Sequence, residues 1–196
     1  TGASDATLRA LVKKGLAAVE RREVFRRVRP EAVETEPPPV LNGEQQAAFE
    51  QLDALCRSPE PAAALLYGVT GSGKTQVYIR LIQSALEQGK GAIVLVPEIA
   101  LTPQLLRKFS AHFGEDIALL HSALGAGERY DEWKRVRSGQ ARVVLGTRSA
   151  VFAPVADLGL VILDEEHESS YKSENAPRYH ARDVAKYRCA QGGGLL

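Results

Sequence analysis

Two short stretches of this 196-residue chain combine residue types whose spacing suits chemistry on a phosphate. The first, "GVTGSGKT", runs from Gly68 to Thr75 and fits G-x-x-x-x-G-K-[ST]. Glycines there let the backbone turn its N–H groups inward without Cβ obstruction. A helix starting near Lys74 adds its positive N-terminal end, so a triphosphate meets oriented donors. Gly68, Thr70, Gly71, Ser72 and Gly73 would line this cradle, Lys74 would reach the β- and γ-phosphates, and Thr75 would ligate Mg²⁺. The alternative is a glycine-rich strand-to-helix turn whose lysine only snorkels to solvent.

The second stretch is "LVILDEEHESS", an apolar run that ends on Asp164. A carboxylate at the C-terminal end of a strand would stand beside the Thr75 hydroxyl and hold the metal. Glu165 would then polarise the attacking water. Taken alone, the stretch also suits an acidic, solvated loop after a strand. Together the two stretches point to nucleoside triphosphate hydrolysis or phosphoryl transfer, with ATP and Mg²⁺ as cofactors.

Such residues need a sheet edge to hold them. Continuous apolar runs at Ala63–Tyr67, Ala92–Val96, Ile117–Leu120, Arg142–Leu145 and Leu160–Leu163 alternate with helical stretches. Continuous rather than alternating runs predict parallel strands covered on both faces. The expected fold is therefore α/β: a P-loop lobe with a mostly parallel, doubly wound sheet over 41–196. Ahead of it, Leu8, Leu11 and Val12 share one face of a helix that would end at Gly15. "LAAVE" and "EVFRRV" look like two strands of a small hairpin, so 1–29 reads as the back end of a winged-helix module. The prolines of "RPEAVETEPPPV" mark 30–40 as a linker.

Composition restricts the partners. No apolar run approaches the roughly 20 residues of a membrane span, so no membrane association is expected. The net charge of +1 gives no global pull towards nucleic acid, so any DNA site must be local. Arg21, Arg22, Arg26, Arg27 and Arg29 could lay cations along a DNA backbone, although Glu20, Glu23 and Glu31 also suit an ordinary solvated face. Cys56 and Cys189 are isolated, so a zinc site is not expected and a reducing, cytoplasmic setting fits. The chain has no methionine and stops on "QGGGLL", where another apolar run begins; it reads as a fragment of a longer protein.

Further segments lie at the same predicted sheet edge. In "VPEIALTPQ", Thr102 occupies an N-cap position and Pro103 a first helical position, and such a helix start can also meet a DNA phosphate. "GTRS" brings out Thr147 and Arg148 after another buried strand; Arg148 suits a phosphate oxygen or a surface ion pair. Gln45 carries an amide able to read an adenine edge, or is simply an exposed helical glutamine. "SSYKSENAPRYHARD" interleaves Tyr171, Tyr179 and His180 with Lys172, Arg178 and Arg182. Rings beside cations can stack on unpaired bases and neutralise a backbone. Packing of Tyr179 in the core and a solvated charge run are the alternatives.

These segments carry a resemblance. "DEEH" is similar to the DExH form of the Walker B motif of superfamily 2 helicases. Together with "LNGEQQAAFE", "LVPEIALTPQ", "GTRSAVFAP" and "DEEHESSYKSENAPRYHARDVAKYR", it resembles the PriA family of primosomal replication-restart helicases over nearly the whole chain. The resemblance implies a RecA-like first helicase lobe and an ATP-dependent 3′-to-5′ DNA helicase. It places Lys74, Asp164, Glu165 and His167 in the catalytic set and has Gln45 read the base. It makes Thr102, Thr147, Arg148, Arg178, Tyr179 and His180 DNA contacts, with "SSYKSENAPRYH" similar to the aromatic-rich loop that couples DNA to hydrolysis. Ala176–Pro177 stands where many relatives carry a tryptophan. Implied partners are forked and single-stranded DNA, single-strand-binding protein and primosome proteins, in the bacterial cytoplasm. Zinc is implied only for a part of the parent beyond this chain. Two rivals remain on residues alone: a small-metabolite P-loop kinase, and a half-site that binds nucleotide and DNA with little turnover of its own.

Overall fold

The computed structural model describes residues 4–20, 34–69 and 71–196. Thr70, the "EVFRRV" segment and the basic cluster from Arg21 to Arg29 lie outside the described residues. The first helix, α1 (Asp5–Lys13), starts on Ser4, whose hydroxyl accepts from Thr7 N, and gives way to Gly15 at φ 70°. Leu16–Glu20 follow without strand pairing among the described residues. Residues 34–42 run extended, tied down where Glu36 N donates to the Ala111 carbonyl at 3.0 Å.

From Asn42 onward helices and strands alternate as the apolar runs require. They comprise α2 (Gly43–Arg57), α3 (Lys74–Glu87), β1 (Gly91–Leu95), α4 (Pro103–Phe113), β2 (Ile117–Leu120), α5 (Ala126–Arg137), β3 (Val143–Gly146), β4 (Leu158–Leu163) and α6 (Ala181–Gly192). Local chemistry sets the starts. Asn42 and Gln45 form a reciprocal capping box on α2, Thr102 caps α4 with Pro103 behind it, and Glu128 accepts from Gly125 N ahead of α5.

The four strands are all parallel, in the order β2-β3-β1-β4. Successive residues of β1 divide between two cores. Ala92 and Val94 pack with α2, α3 and α4, while Ile93 and Leu95 pack with residues of α5 and α6. Helices on both faces explain why the strands read as unbroken apolar runs. At the free edge of β2, the buried Glu132 accepts from Leu119 N at 3.0 Å and pairs with Arg135 at 2.8 Å. Arg135 in turn donates to the Ile117 and Glu115 carbonyls, so an ion pair clasps α5 to a strand that has no neighbour there among the described residues.

Of the strands predicted within 41–196, one is not formed. Ala63–Tyr67 has no ladder: Ala62 bridges Leu195, Ala64 N donates to Leu196 O, and Leu65 and Tyr67 are 77% and 90% exposed. The reason lies in the order of the segments. Leu195 sits beside Leu160 of β4, so residues 62–64 pair with 194–196 instead of with β4, and that contact ends after a few residues.

Both cysteines are interior, at 0% (Cys56) and 2% (Cys189) exposure. Burial pushes both thiols up, Cys189 to about 11. Native protein at pH 8 should therefore leave both unlabelled by a maleimide that labels two thiols after denaturation. The native thiols stay protonated where unfolded ones have ionised, so they make stability fall as pH rises above the unfolded thiol value, for Cys189 up to about 11. Each contributes a slope of at most about 1.4 kcal/mol per pH unit. Rapid labelling of folded protein, or flat stability across that window, would contradict this.

Candidate functional site

The C-terminal ends of the parallel strands deliver the chemistry to one edge. β1 leads into Pro97 and Thr102, β3 into Thr147 and Arg148, and β4 into Asp164 and Glu165. The glycine-rich turn meets this edge ahead of α3. Gly71 and Gly73 hold φ of 82° and 86°, a region side chains disfavour, and Gly73 stands at the N-cap of α3 where no side chain caps the helix. A Cβ on Gly68 would come within 2.7 Å of Ser72 Oγ. The turn's described glycines thus stand where a side chain would be strained or crowded, as a phosphate-binding turn requires. Lys74, the first residue of α3, donates from Nζ to the Gly68 carbonyl at 2.6 Å and lies 3.8 Å from Glu165. Cradle and acidic strand end are thus in contact.

Gln45 also comes to the cradle. Its Oε1 accepts from Asn42 N at 3.0 Å, and its Nε2 donates to the Ser72 carbonyl at 2.9 Å. Each amide atom keeps one further valence for a base edge. The first role the geometry gives Gln45 is to brace the turn, which its helical spacing did not reveal.

Asp164 is half-buried, and its neighbours define it closely. Asp164 N donates to the Leu95 carbonyl at 2.9 Å, and Tyr78 of α3 donates its hydroxyl to Asp164 Oδ1 at 3.2 Å. Burial pushes the Asp164 carboxyl up, opposed by the Tyr78 hydrogen bond. A desolvated carboxylate of this kind gains from a cation. Thr75 precedes Tyr78 by three residues and so shares its helical face, the face that meets Asp164; a hydroxyl and a carboxylate are oxygen ligands of the kind Mg²⁺ takes. Glu165 has φ 49°, the one described non-glycine residue in the left-handed region, a conformation that persists where the surroundings enforce it. His167 is mostly exposed, with Nε2 3.9 Å from Glu165. Glu166 forms an ion pair with Arg182 of α6, so this acidic residue of the quartet is engaged structurally.

The residues expected to meet DNA divide into three groups. Thr102 caps α4, accepting from Leu105 N at 3.2 Å. Thr147 is buried beneath the turn that Arg148 opens. Arg148 reaches back over the loop: Nη1 donates to the carbonyls of Ser170 (3.1 Å) and Lys172 (2.7 Å), and the guanidinium lies 5.9 Å from the Tyr179 ring centre. Tyr179 meets the half-exposed Phe152 edge-on at 4.9 Å. Arg178 is exposed, and His180 caps α6 through Nδ1, which accepts from Arg182 N. Tyr171 departs from expectation. It is wholly buried and cannot offer its ring to a base; as a large ring next to the apolar strand ends, it is taken up by the core.

The sequence had singled out Lys74, Asp164, Glu165 and His167, and these do converge. It missed Tyr78, Phe152 and the bracing role of Gln45. Tyr78 was detectable as the residue one helical turn after Thr75. Phe152 had no signal, because its contact with Tyr179 spans 27 residues of chain (179 − 152).

The chain resembles known proteins over most of its length. The model of the DEAD/DEAH box helicase family matches residues 42–189. The replication restart protein PriA of Bacillus subtilis is 50% identical over 187 residues, covering 94% of this chain and 23% of that protein. PriA of Treponema pallidum is 53% identical over 150 residues (76% of this chain, 22% of that one), and PriA of Haemophilus influenzae 51% over 145 residues (74% and 20%). The chain thus spans about a fifth to a quarter of the length of these relatives. With a helicase model across three quarters of its residues, and the family's phosphate turn and acidic strand end in contact, the chain belongs to the DEAD/DEAH box helicases.

Proposed function

We propose that this chain is the nucleotide-binding lobe of an ATP-dependent DNA helicase of replication restart. In this reading the parent protein moves 3′-to-5′, unwinds forked DNA in the bacterial cytoplasm, and works with single-strand-binding protein and primosome proteins. The observation that carries it is the junction of cradle and loop: Lys74 lies 3.8 Å from Glu165, and the aromatic loop begins within seven residues of Asp164, at Tyr171. Similarity to PriA proteins supports the restart role.

The amides of the turn and Lys74 would hold the triphosphate, with Gly68, Thr70, Gly71, Ser72 and Gly73 forming its wall. Thr75 and Asp164 would hold Mg²⁺, which neutralises phosphate charge when bound. Glu165 would orient the attacking water and accept its proton, with His167 alongside. Gln45 would brace the turn and offer its remaining N–H and lone pair to the base. Arg178, Tyr179 and His180 would meet a single strand, by stacking and backbone neutralisation.

A DNA-coupled ATPase makes a prediction that a metabolite kinase does not. ATP turnover of the full-length protein should rise on adding DNA with a single-stranded arm. Alanine at Arg178, Tyr179 and His180 should remove most of that rise while ATP affinity stays within about twofold. Stacking contributes about 1–3 kcal/mol per base, enough to weaken DNA binding roughly tenfold or more. Turnover indifferent to DNA in the unsubstituted protein would overturn the helicase reading. Full stimulation in the triple variant would move the contact elsewhere. This lobe alone is the second reading: it binds nucleotide and DNA but turns over little ATP, because an arginine finger from another lobe can supply about 10³–10⁵ in rate.

A further inference from the structure

Tyr171 is the largest wholly buried side chain described, yet Ser170 and Lys172 on either side of it are exposed. A core position filled for volume alone would take phenylalanine, because a buried hydroxyl must find a partner. The Tyr171 hydroxyl lies 2.6 Å from the carbonyl oxygen of Asp164 and 2.9 Å from that of Leu95, sharing one proton between them. Leu95 also accepts from Asp164 N. The loop's first aromatic residue is thereby knotted to the backbone of the metal-site carboxylate and to the end of β1.

The other end of the connection is equally short. Arg148 Nη1 donates to the carbonyls of residues 170 and 172, the two that flank Tyr171. The same guanidinium covers the Tyr179 ring, which packs on Phe152. Lys172 pairs with His180, and Ser173 N donates to the Tyr179 carbonyl at 2.8 Å. A chain of direct contacts thus runs from Tyr179 through Arg148 and the 170–173 backbone to Tyr171, and through one hydroxyl to Asp164. The apolar packing around Tyr171 leaves it little other freedom.

We propose that Tyr171 is a positioning residue: a strut whose hydroxyl transmits occupation of the 172–180 loop by a single strand to the placement of Asp164, with Arg148 clamping the loop so that it moves as one piece. This rests on the DNA-coupled reading above. It assigns Tyr171 no contact with DNA or nucleotide.

The test uses the full-length protein with Tyr171→Phe, which keeps the ring and removes only the strut bond. Single-strand affinity by fluorescence anisotropy, and ATP turnover without DNA, should stay within about twofold of the unsubstituted protein. The factor by which DNA accelerates turnover should fall at least fivefold. Tyr78→Phe serves as the contrast: it removes a hydroxyl from the same Asp164, and among the described residues that hydroxyl makes no hydrogen bond to the loop, so turnover can drop while the stimulation factor holds. Undiminished stimulation in Tyr171→Phe would overturn the strut. So would a loss matched by equal losses of DNA affinity or of DNA-free turnover, since that is the mark of a packing residue. A stimulation factor that falls as far in Tyr78→Phe would also overturn it. An unsubstituted protein that ignores DNA would instead sink the helicase reading itself.

Discussion

Replacing Glu165 by glutamine should lower ATP turnover in the full-length protein by about 10²–10⁴-fold, the usual worth of a positioned general base. ATP affinity should change little. Glutamine preserves the shape of the side chain and can adopt the same backbone, which already sits at φ 49° for a glutamate. What it loses is the carboxylate, which stands 3.8 Å from Lys74 and 3.9 Å from His167. Asp164→Asn should behave differently. Asp164 carries a hydrogen bond from Tyr78 and is desolvated, and in the proposed role its charge serves Mg²⁺ rather than the attacking water. Its signature is loss of the Mg²⁺-dependent part of nucleotide affinity. Affinity measured with and without Mg²⁺, alongside single-turnover hydrolysis, separates the two. If both variants lose affinity and turnover alike, the assignment of base and metal ligand is wrong.

The fold was legible wherever the signal was local. Thr102-Pro103 marked the start of α4, and the apolar runs of β1 to β4 marked a sheet covered on both faces, because capping and burial leave their trace within a few residues. The segment 63–67 reads as a strand equally well, but strand pairing depends on which segment reaches the neighbouring edge first. Here 194–196 occupies the place beside β4, and nothing within 63–67 encodes that.

Within the site, chemistry that depends on residue type was readable and chemistry that depends on orientation was not. The glycine-rich turn and the acidic strand end were legible from their spacing, and the fold brings Lys74 within 3.8 Å of Glu165. The aromatic loop was not legible in this way: its rings read as equivalent, whereas Tyr171 points into the core, Tyr179 lies partly open against Phe152, and His180 spends Nδ1 on a helix cap. Arg148 reads as a phosphate ligand, but its hydrogen bonds go to two carbonyls of the loop it was expected to act beside. The placements of Tyr171, Tyr179 and Arg148 come from contacts across 22 to 76 residues of chain, beyond the reach of any periodicity, whereas the His180 cap spans only two.

Lys74→Ala should weaken binding of ATP and ADP by about 10²-fold or more. Lys74 is held ready: its side chain is 18% exposed, and its ammonium is drawn to the Gly68 carbonyl inside the turn it would serve. Truncating one partner of a desolvated, hydrogen-bonded charge pair costs about 2–5 kcal/mol, and each 1.4 kcal/mol is about tenfold in affinity. A second term adds to the first. Without Lys74 the Glu165 carboxylate is left facing the phosphates with no cation between, so the variant should suffer repulsion as well as lost attraction. Removing that charge should recover part of the loss: Lys74→Ala with Glu165→Gln should bind ATP more tightly than Lys74→Ala alone, although Glu165→Gln by itself changes affinity little. Such non-additivity is expected of residues in direct contact. Lys74→Arg should not rescue binding, because a planar guanidinium fork does not fit where a compact ammonium points into a turn of glycines. Calorimetric titration with Mg²⁺-ATP across the four proteins of the cycle tests this. Equal affinity in Lys74→Ala and the unsubstituted chain would remove Lys74 from the phosphate site. Strict additivity in the double variant would leave the cradle standing but separate Glu165 from the bound triphosphate.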